Sequence, residues 1–219
     1  MNLELAKSLN QDIPSWWPNW HGLTCVIIAG GPSAKSQDLA LVRESGAKVV
    51  VVNNAHELAP WADVLFACDL AWWRRYGPDL QFEGLRLSTD RSVCEPVAPW
   101  RVQCVMVDKP SDRMNFAQFN RVGWGGNSGF QALNLAVQFG CMKIVLVGFD
   151  MTTAYGLHWH GAHPAGMNNP SEGNIARWRR ALDAAADQIE HLGIDVINAS
   201  VISTLTRYRK ASLAEALSA

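Results

Sequence analysis

The chain has 219 residues, 48% of them hydrophobic, which is enough for one sizeable α/β domain or two small ones. Nineteen basic residues stand against 20 acidic ones, which argues against a broad nucleic-acid or membrane-binding surface. The five cysteines are scattered and odd in number, the N-terminus shows no signal peptide, and no apolar run approaches the roughly 20 residues that span a bilayer. We therefore expect a cytoplasmic protein with reduced thiols and no membrane span.

Residues 1–22 are predicted to form an N-terminal arm. A short helix is expected over residues 3–9, and the segment that follows contains Trp16, Trp17 and Trp20. Large apolar rings need cover, which either the flank of the same domain or a neighbouring subunit could supply. The arm is therefore a candidate contact for a homo-oligomer.

The domain itself is predicted at residues 23–219, where apolar strands alternate with helices. Strands are predicted at 26–29, 49–52, 64–67, 84–87, 102–107, 143–147 and 195–197, and helices at 37–44, 69–76, 128–139, 172–192 and from about 212. Residues 88–122 look largely irregular, 152–170 form a long loop, and the basic run 207–210 is interpreted as a solvated helix start. The alternation favours a single doubly wound, mostly parallel sheet with helices on both faces, a Rossmann-like α/β fold.

Polar or glycine-rich residues follow most of these strands, at the edge where such sheets bind ligands. They are Gly30, Gly31, Pro32 and Ser33 after the first strand, Asn53 and Asn54 after the second, Asp69 after the third, Asn127, Ser128 and Gly129 at a helix start, and Asp150 after the strand at 143–147. A glycine turn before a helix favours a phosphate, Ser33 could cap the helix or bond a phosphate oxygen, and the amides after the second strand could bind a base or ribose. The turn is neither a dinucleotide fingerprint nor a P-loop. The set predicts one ligand-binding cleft.

Three histidines, His158, His160 and His163, lie within six residues of the long loop. One interpretation is general acid or base catalysis, because imidazole titrates near neutral pH. A second is a metal site with Asp150 or Asp69 as a further ligand, although the spacing matches no common zinc signature. A third is a structural lid. The tryptophan between the first two histidines is a candidate for stacking on a ligand ring.

Together these residues resemble the 6-hydroxymethylpterin diphosphokinase-like family, formerly a domain of unknown function, in the type carried by phages and prophages. They also resemble the Rossmann-like bacterial sialyltransferases. The similarity runs over about residues 24–205. It rests on the Gly-Pro-Ser turn, Asn53, the Asn-Ser-Gly helix start and the strand that ends in Gly-Phe-Asp.

The sialyltransferase resemblance implies a cytidine nucleotide, or its sugar conjugate, held by Gly31, Pro32, Ser33 and Asn53. It also implies a catalytic base at His163, with His160 as the alternative because the loop has one inserted residue, and it matches His158 to the first histidine of the family's loop. The chain departs from the family at Asn127, which replaces a threonine, and at Cys68-Asp69, which stands where the family has an asparagine; the second departure argues against a cytidine-sugar donor. The pterin enzymes instead imply ATP and magnesium, with Asp69 and Asp150 near the metal.

The resemblance therefore implies a nucleotide-dependent transferase with a small-molecule donor and acceptor. Glycosyl transfer from a nucleotide-activated sugar is the first hypothesis, and magnesium is not required for it. An ATP- and magnesium-dependent pyrophosphokinase is the second. A non-catalytic phage-associated binding or assembly protein is the third, because a fold does not fix a function. The histidine loop favours the first, since a magnesium-driven transfer gives it no obvious task.

Overall fold

The computed structural model describes residues 13–218, and within them one large parallel sheet organises the domain. The strands are β1 (Thr24–Ile28), β2 (Lys48–Val52), β3 (Val64–Phe66), β4 (Leu85–Ser88), β5 (Gln103–Cys104), β6 (Met106–Asp108), β7 (Arg121–Gly123), β8 (Lys143–Val147), β9 (Asp195–Asn198) and β10 (Arg209–Lys210). The helices are α1 (Leu39–Glu44), α2 (Leu70–Tyr76), α3 (Arg91–Cys94), α4 (Ser128–Gln138), α5 (Glu172–Glu190) and α6 (Leu213–Ser218). Short 3-10 turns cover Pro32–Ser36, Asn53–Glu57 and Gly77–Asp79.

The sheet is buried on both faces, as its valine- and isoleucine-rich strands predict. Successive side chains of a strand point to opposite faces. Val50 and Val52 therefore pack with α4 and α5, whereas Val49 and Val51 pack with α1, α2 and α6. The predicted doubly wound α/β sheet with helices on both faces is confirmed.

The strand order is β10-β9-β8-β1-β2-β3-β4-β5, and every neighbouring pair is parallel. The chain moves outward from β1 to β5 on one side and from β8 to β10 on the other, so the order reverses between β1 and β8. Ile28 pairs with Val147 at the carboxyl ends of these two strands. A crevice at such a reversal is the usual ligand site of an open α/β sheet.

Two sequence-based assignments need correction. The predicted strand at 102–107 is divided, because β5 joins the main sheet whereas β6 pairs with β7 in a separate two-stranded ladder. The basic run does not start a helix. Arg209–Lys210 form the edge strand β10, where Arg209 reaches Asp195 at 3.0 Å, and Tyr208 is buried with its hydroxyl donating to Leu182 O at 2.6 Å. Charged side chains on an edge strand discourage further pairing.

The described part of the arm packs on the domain itself. Trp17 and Trp20 are only 8% and 6% exposed, with ring centroids 4.9 and 4.8 Å from that of Phe139. Of the two kinds of cover considered for these rings, the structure shows the flank of the same domain, because the end of α4 covers both residues. The helix expected over residues 3–9 lies outside the described residues. A homo-oligomer formed through the arm stays a prediction.

All five cysteines are free. Cys25 and Cys141 are buried, and the other three are half-buried. Among the helices of residues 13–218, none is long and apolar enough to cross a membrane.

Candidate functional site

The turn after β1 is pressed against the end of β8. The backbone N–H of Gly31 donates to Gly148 O at 3.0 Å. A Cβ built on Gly31 would lie 2.4 Å from that oxygen and 2.7 Å from the Asp150 carboxylate. Real side chains do not approach a backbone oxygen so closely, so this position requires glycine.

A buried hydrogen-bond pair locks this turn in place. Asp150 is 2% exposed and accepts from the backbone N–H of Ser33 at 2.8 Å and from the Ser33 hydroxyl. Burial raises the pKa of the Asp150 carboxyl, and the hydrogen bonds from Ser33 oppose that shift. The hydroxyl proton of Ser33 is thus engaged within the protein, at a residue where the sequence predicted a cap or a phosphate contact.

A cavity of about 490 Å³ opens beyond the carboxyl ends of β1, β2, β3 and β8. This volume lies within the range of roughly 300–1,000 Å³ usual for small-molecule sites. Thirteen of the 14 predicted site residues line it, and Ser33 does not. The thirteen are Gly30, Gly31, Pro32, Asn53, Asn54, Asp69, Asn127, Ser128, Gly129, Asp150, His158, His160 and His163.

Two asparagines of the cavity wall carry buried polar atoms without a partner among the described residues. Asn53 Oδ1 is an unpaired acceptor and Asn127 Nδ2 an unpaired donor. Asn127 already caps α4, because its Oδ1 accepts from Phe130 N at 2.9 Å. A buried polar atom without a partner costs about 1–3 kcal/mol, so a ligand that bonds both atoms gains affinity. Asn53 also has a φ of 51°, an uncommon conformation that clusters at binding sites.

Asn54 has a different role from its neighbour. Its Oδ1 accepts from Trp72 Nε1 at 2.8 Å, and its Nδ2 donates to Glu57 Oε1 at 2.9 Å. Because both ends of the amide are occupied, Asn54 orients Trp72 rather than offering free groups to a base or ribose.

Asp69 precedes α2 and lines the cavity without capping the helix. Asp69 is exposed to solvent, but nearby protein partly buries its carboxylate. This burial and the charge of Asp90 raise the pKa of Asp69, whereas the charge of Lys109 lowers it. Of the two cavity carboxylates, Asp69 is therefore free to meet a ligand and Asp150 is held by Ser33.

The three loop histidines form one cluster, which we call the histidine cluster (His158, His160 and His163). The His158 and His160 rings are stacked with centroids 5.2 Å apart, and His163 lies 4.5 and 5.0 Å from them. The loop is docked on the first turn, because Trp159 N donates to Gly30 O at 3.0 Å. The cluster thus forms a wall of the same cavity as the glycine turn.

Burial lowers the pKa of all three rings. For His158, burial together with the charges of His163 and His160 lowers the pKa to about 4. Burial also lowers the pKa of His160, although the charge of Glu57 acts in the opposite direction. Burial lowers the pKa of His163 as well, and the charge of His160 lowers it further. The rings are therefore neutral near pH 7, and His158 Nε2 and His163 Nδ1 are buried without a partner. Neutral imidazoles with free nitrogens can accept a proton or bind a metal ion.

The tryptophan predicted to stack on a ligand ring does not lie at the cavity. Trp159 does not line the cavity and packs instead against the core on the α1 and α2 side of the sheet. Trp72 and Trp178 are the tryptophans of the lining. Trp178 lies on α5 beside the glycine-rich helix start, where a Cβ on Gly126 would come within 3.0 Å of its Nε1. Nothing in the local pattern around Trp178 indicates this contact.

The loop beyond the histidines also contributes to the wall. Asn169 and Pro170 line the cavity, together with Asn174 and Ile175 at the start of α5. Asn169 braces the histidine cluster, because its Oδ1 accepts from His163 N at 2.7 Å. The asparagines in this part of the sequence are the feature from which these lining residues could have been predicted.

Comparison with known proteins supports the fold. No family model and no curated protein matches the chain. The chain is similar to a solved structure, the sialyltransferase CstII from Campylobacter jejuni in complex with a substrate analogue, cytidine-5'-monophosphate. The identity is 13% and the TM-score 0.57, over 90% of this chain and 87% of that chain. At this identity the likeness shows the Rossmann-like fold alone. The pterin-enzyme family and a phage origin receive no support from these comparisons.

Proposed function

We propose that the protein is a glycosyltransferase that uses a nucleotide-activated sugar as its donor. The observation that carries this proposal is the cavity at the β1–β8 reversal, which combines a tight glycine turn, two unpaired amide groups and neutral imidazoles. The similarity of fold to a sialyltransferase crystallised with cytidine monophosphate supports the same class of donor.

The donor phosphate would lie between Gly30-Gly31 and the start of α4. The first turn allows close backbone approach. Helix α4 has 11 residues, and the backbone N–H groups of Ser128 and Gly129 lie in its unpaired first turn. Such a helix end stabilises the charge that develops on a leaving phosphate.

The nucleoside would contact the amide groups and the ring of Trp178. Asn53 Oδ1 would accept from a base amino group or a ribose hydroxyl, and Asn127 Nδ2 would donate to a carbonyl or hydroxyl oxygen. Trp178 is half-buried and offers apolar ring surface at the cavity wall, whereas Trp72 is only 1% exposed and supports the wall from behind. These contacts would satisfy both unpaired atoms and orient the donor for reaction.

The transfer itself needs a proton acceptor for the attacking hydroxyl. The acceptor oxygen would bond to the anomeric carbon, the bond from that carbon to the phosphate oxygen would break, and the nucleotide would leave with the electron pair. His163, with its unpaired Nδ1, would accept the hydroxyl proton. His160 is the second candidate for this role.

Calorimetric titration with cytidine monophosphate and with ATP, each with magnesium and with a chelator, tests the proposal. We expect cytidine monophosphate to bind in the presence of the chelator. Magnesium-dependent binding of ATP alone would contradict glycosyl transfer and favour a pyrophosphokinase. Absence of binding by either nucleotide would favour a non-catalytic protein.

A further inference from the structure

We propose that the histidine cluster binds one divalent transition-metal ion of the zinc type. One ring nitrogen from each of His158, His160 and His163 can be chosen so that all three lie within 4.8 Å of one another. Three histidines around one point, with a position left for a further ligand, form a known kind of zinc site.

The spacing is compatible with coordination after a small contraction. Zinc–nitrogen bonds of about 2.0–2.1 Å at tetrahedral angles place ligand nitrogens roughly 3.3 Å apart. The rings would therefore approach one another by up to about 1.5 Å, which side-chain rotation and loop adjustment can supply. Gly161, between the second and third histidines, has a φ of 91°, and a Cβ built there would have no atom within 4 Å, so the space beside this glycine is open.

The ring nitrogens are available for a metal. His158 Nε2 and His163 Nδ1 are buried and have no partner within the described chain, whereas buried histidine nitrogens are ordinarily hydrogen-bonded. The other nitrogen of His158, Nδ1, lies beside Gly30, since a Cβ built on that glycine would be 3.2 Å from it.

The backbone on both sides of the cluster is anchored. Trp159 N donates to Gly30 O at 3.0 Å, and Asn169 forms two bonds with the backbone of His163, at 2.7 and 3.3 Å. Imidazole ligands suit zinc, copper, nickel and cobalt, whereas magnesium prefers oxygen. Because all three histidines line the cavity, a zinc ion held by them would border it.

This site does not rest on the proposed function, because metal binding is measured on the protein without nucleotide. The two proposals meet only at His163. A ring nitrogen that holds a metal ion cannot accept a proton, so zinc bound to the cluster and His163 acting as a base exclude one another. Zinc would accordingly act as an inhibitor of transfer and not as its cofactor.

The test is a zinc titration of the metal-free full chain in competition with a chromophoric chelator. We expect one equivalent to bind. His158→Ala, His160→Ala and His163→Ala should each weaken binding by at least about 10-fold, because loss of an outer-shell partner alone typically costs 10- to 100-fold. His191→Ala is the matched control. This histidine ends α5, does not line the cavity, and should leave binding unchanged.

Cobalt substitution of the unmodified protein gives a readout that does not depend on variants folding. The intense visible absorption of four-coordinate cobalt, abolished by one equivalent of zinc, would support the site. The proposal is overturned if zinc binding is absent, if the cluster variants bind zinc as the original chain does, or if cobalt gives only the weak spectrum of six-coordinate ions. Titration of cytidine monophosphate with a chelator tests the proposed function separately.

Discussion

Replacement of Gly31 by alanine tests the account of the turn after β1. The added Cβ would lie 2.4 Å from Gly148 O, a backbone atom that cannot rotate away, and 2.7 Å from the Asp150 carboxylate. Overpacking of this kind typically costs 1–3 kcal/mol, and loss of the Gly31 N to Gly148 O hydrogen bond about 1 kcal/mol more. We therefore expect a destabilisation of about 2–4 kcal/mol, which a domain of ordinary stability survives.

The same change should remove nucleotide binding, since the turn must move away from the end of β8. Urea unfolding followed by circular dichroism gives the stability, and calorimetry on the folded variant gives the affinity. Gly173→Ala is the matched control, because this glycine lies in the first turn of α5 and a Cβ there would have no atom within 4 Å. Gly30→Ala should be intermediate, since its Cβ would meet only the His158 ring, at 3.2 Å. A Gly31→Ala protein with unchanged stability and affinity would refute the reasoning.

Three further substitutions follow from the same site and from the arm. Asn53→Gly removes the unpaired amide and relieves the left-handed backbone conformation. Calorimetry should therefore show weaker nucleotide binding, and urea unfolding should show a stability that is equal or up to about 1 kcal/mol higher. Lower stability would show that the amide is structural. His163→Ala should lower turnover by about 100-fold or more with little change in nucleotide affinity, and His160→Ala should lower turnover less. A larger loss of turnover in His160→Ala would assign the base to His160. Trp17→Ala should destabilise the fold by about 3–5 kcal/mol in urea, and a neutral result would show that the arm does not pack as described.

A fourth substitution tests the lock on the turn. Ser33→Ala leaves the buried Asp150 carboxylate with one donor fewer, which should cost about 1–3 kcal/mol in urea unfolding. Ser36→Ala is a suitable control, because this serine is exposed and its hydroxyl donates to a backbone oxygen within the same short turn. Equal stability of the two variants would contradict the lock.

The regular elements and the edge of the sheet that holds the cavity could be predicted from the sequence. β-Branched runs such as Val49–Val52 indicate strands buried on both faces, and in a doubly wound sheet the residues after such strands meet at one edge. That geometric rule, rather than any single motif, is why thirteen predicted residues share one cavity.

The partners of individual side chains could not be predicted, because they depend on contacts between distant segments. Ser33 and Asp150 are 117 positions apart, and no local pattern indicates that the serine bonds the aspartate and not a ligand. The burial of Trp17 against Phe139 and the place of Trp178 at the cavity have the same cause. The short strands β5 to β7 have two or three residues each, too few for a period to be visible.

The central claim is that the cavity between β1 and β8 holds the nucleotide of a sugar donor. The most direct test is a crystal structure of the protein soaked with cytidine monophosphate in the presence of a chelator. The account predicts the phosphate against Gly30-Gly31 and the first turn of α4, with hydrogen bonds from the nucleoside to Asn53 Oδ1 and Asn127 Nδ2. A nucleotide bound elsewhere on the protein, or a cavity that stays empty of nucleotide at saturating concentration, would contradict it.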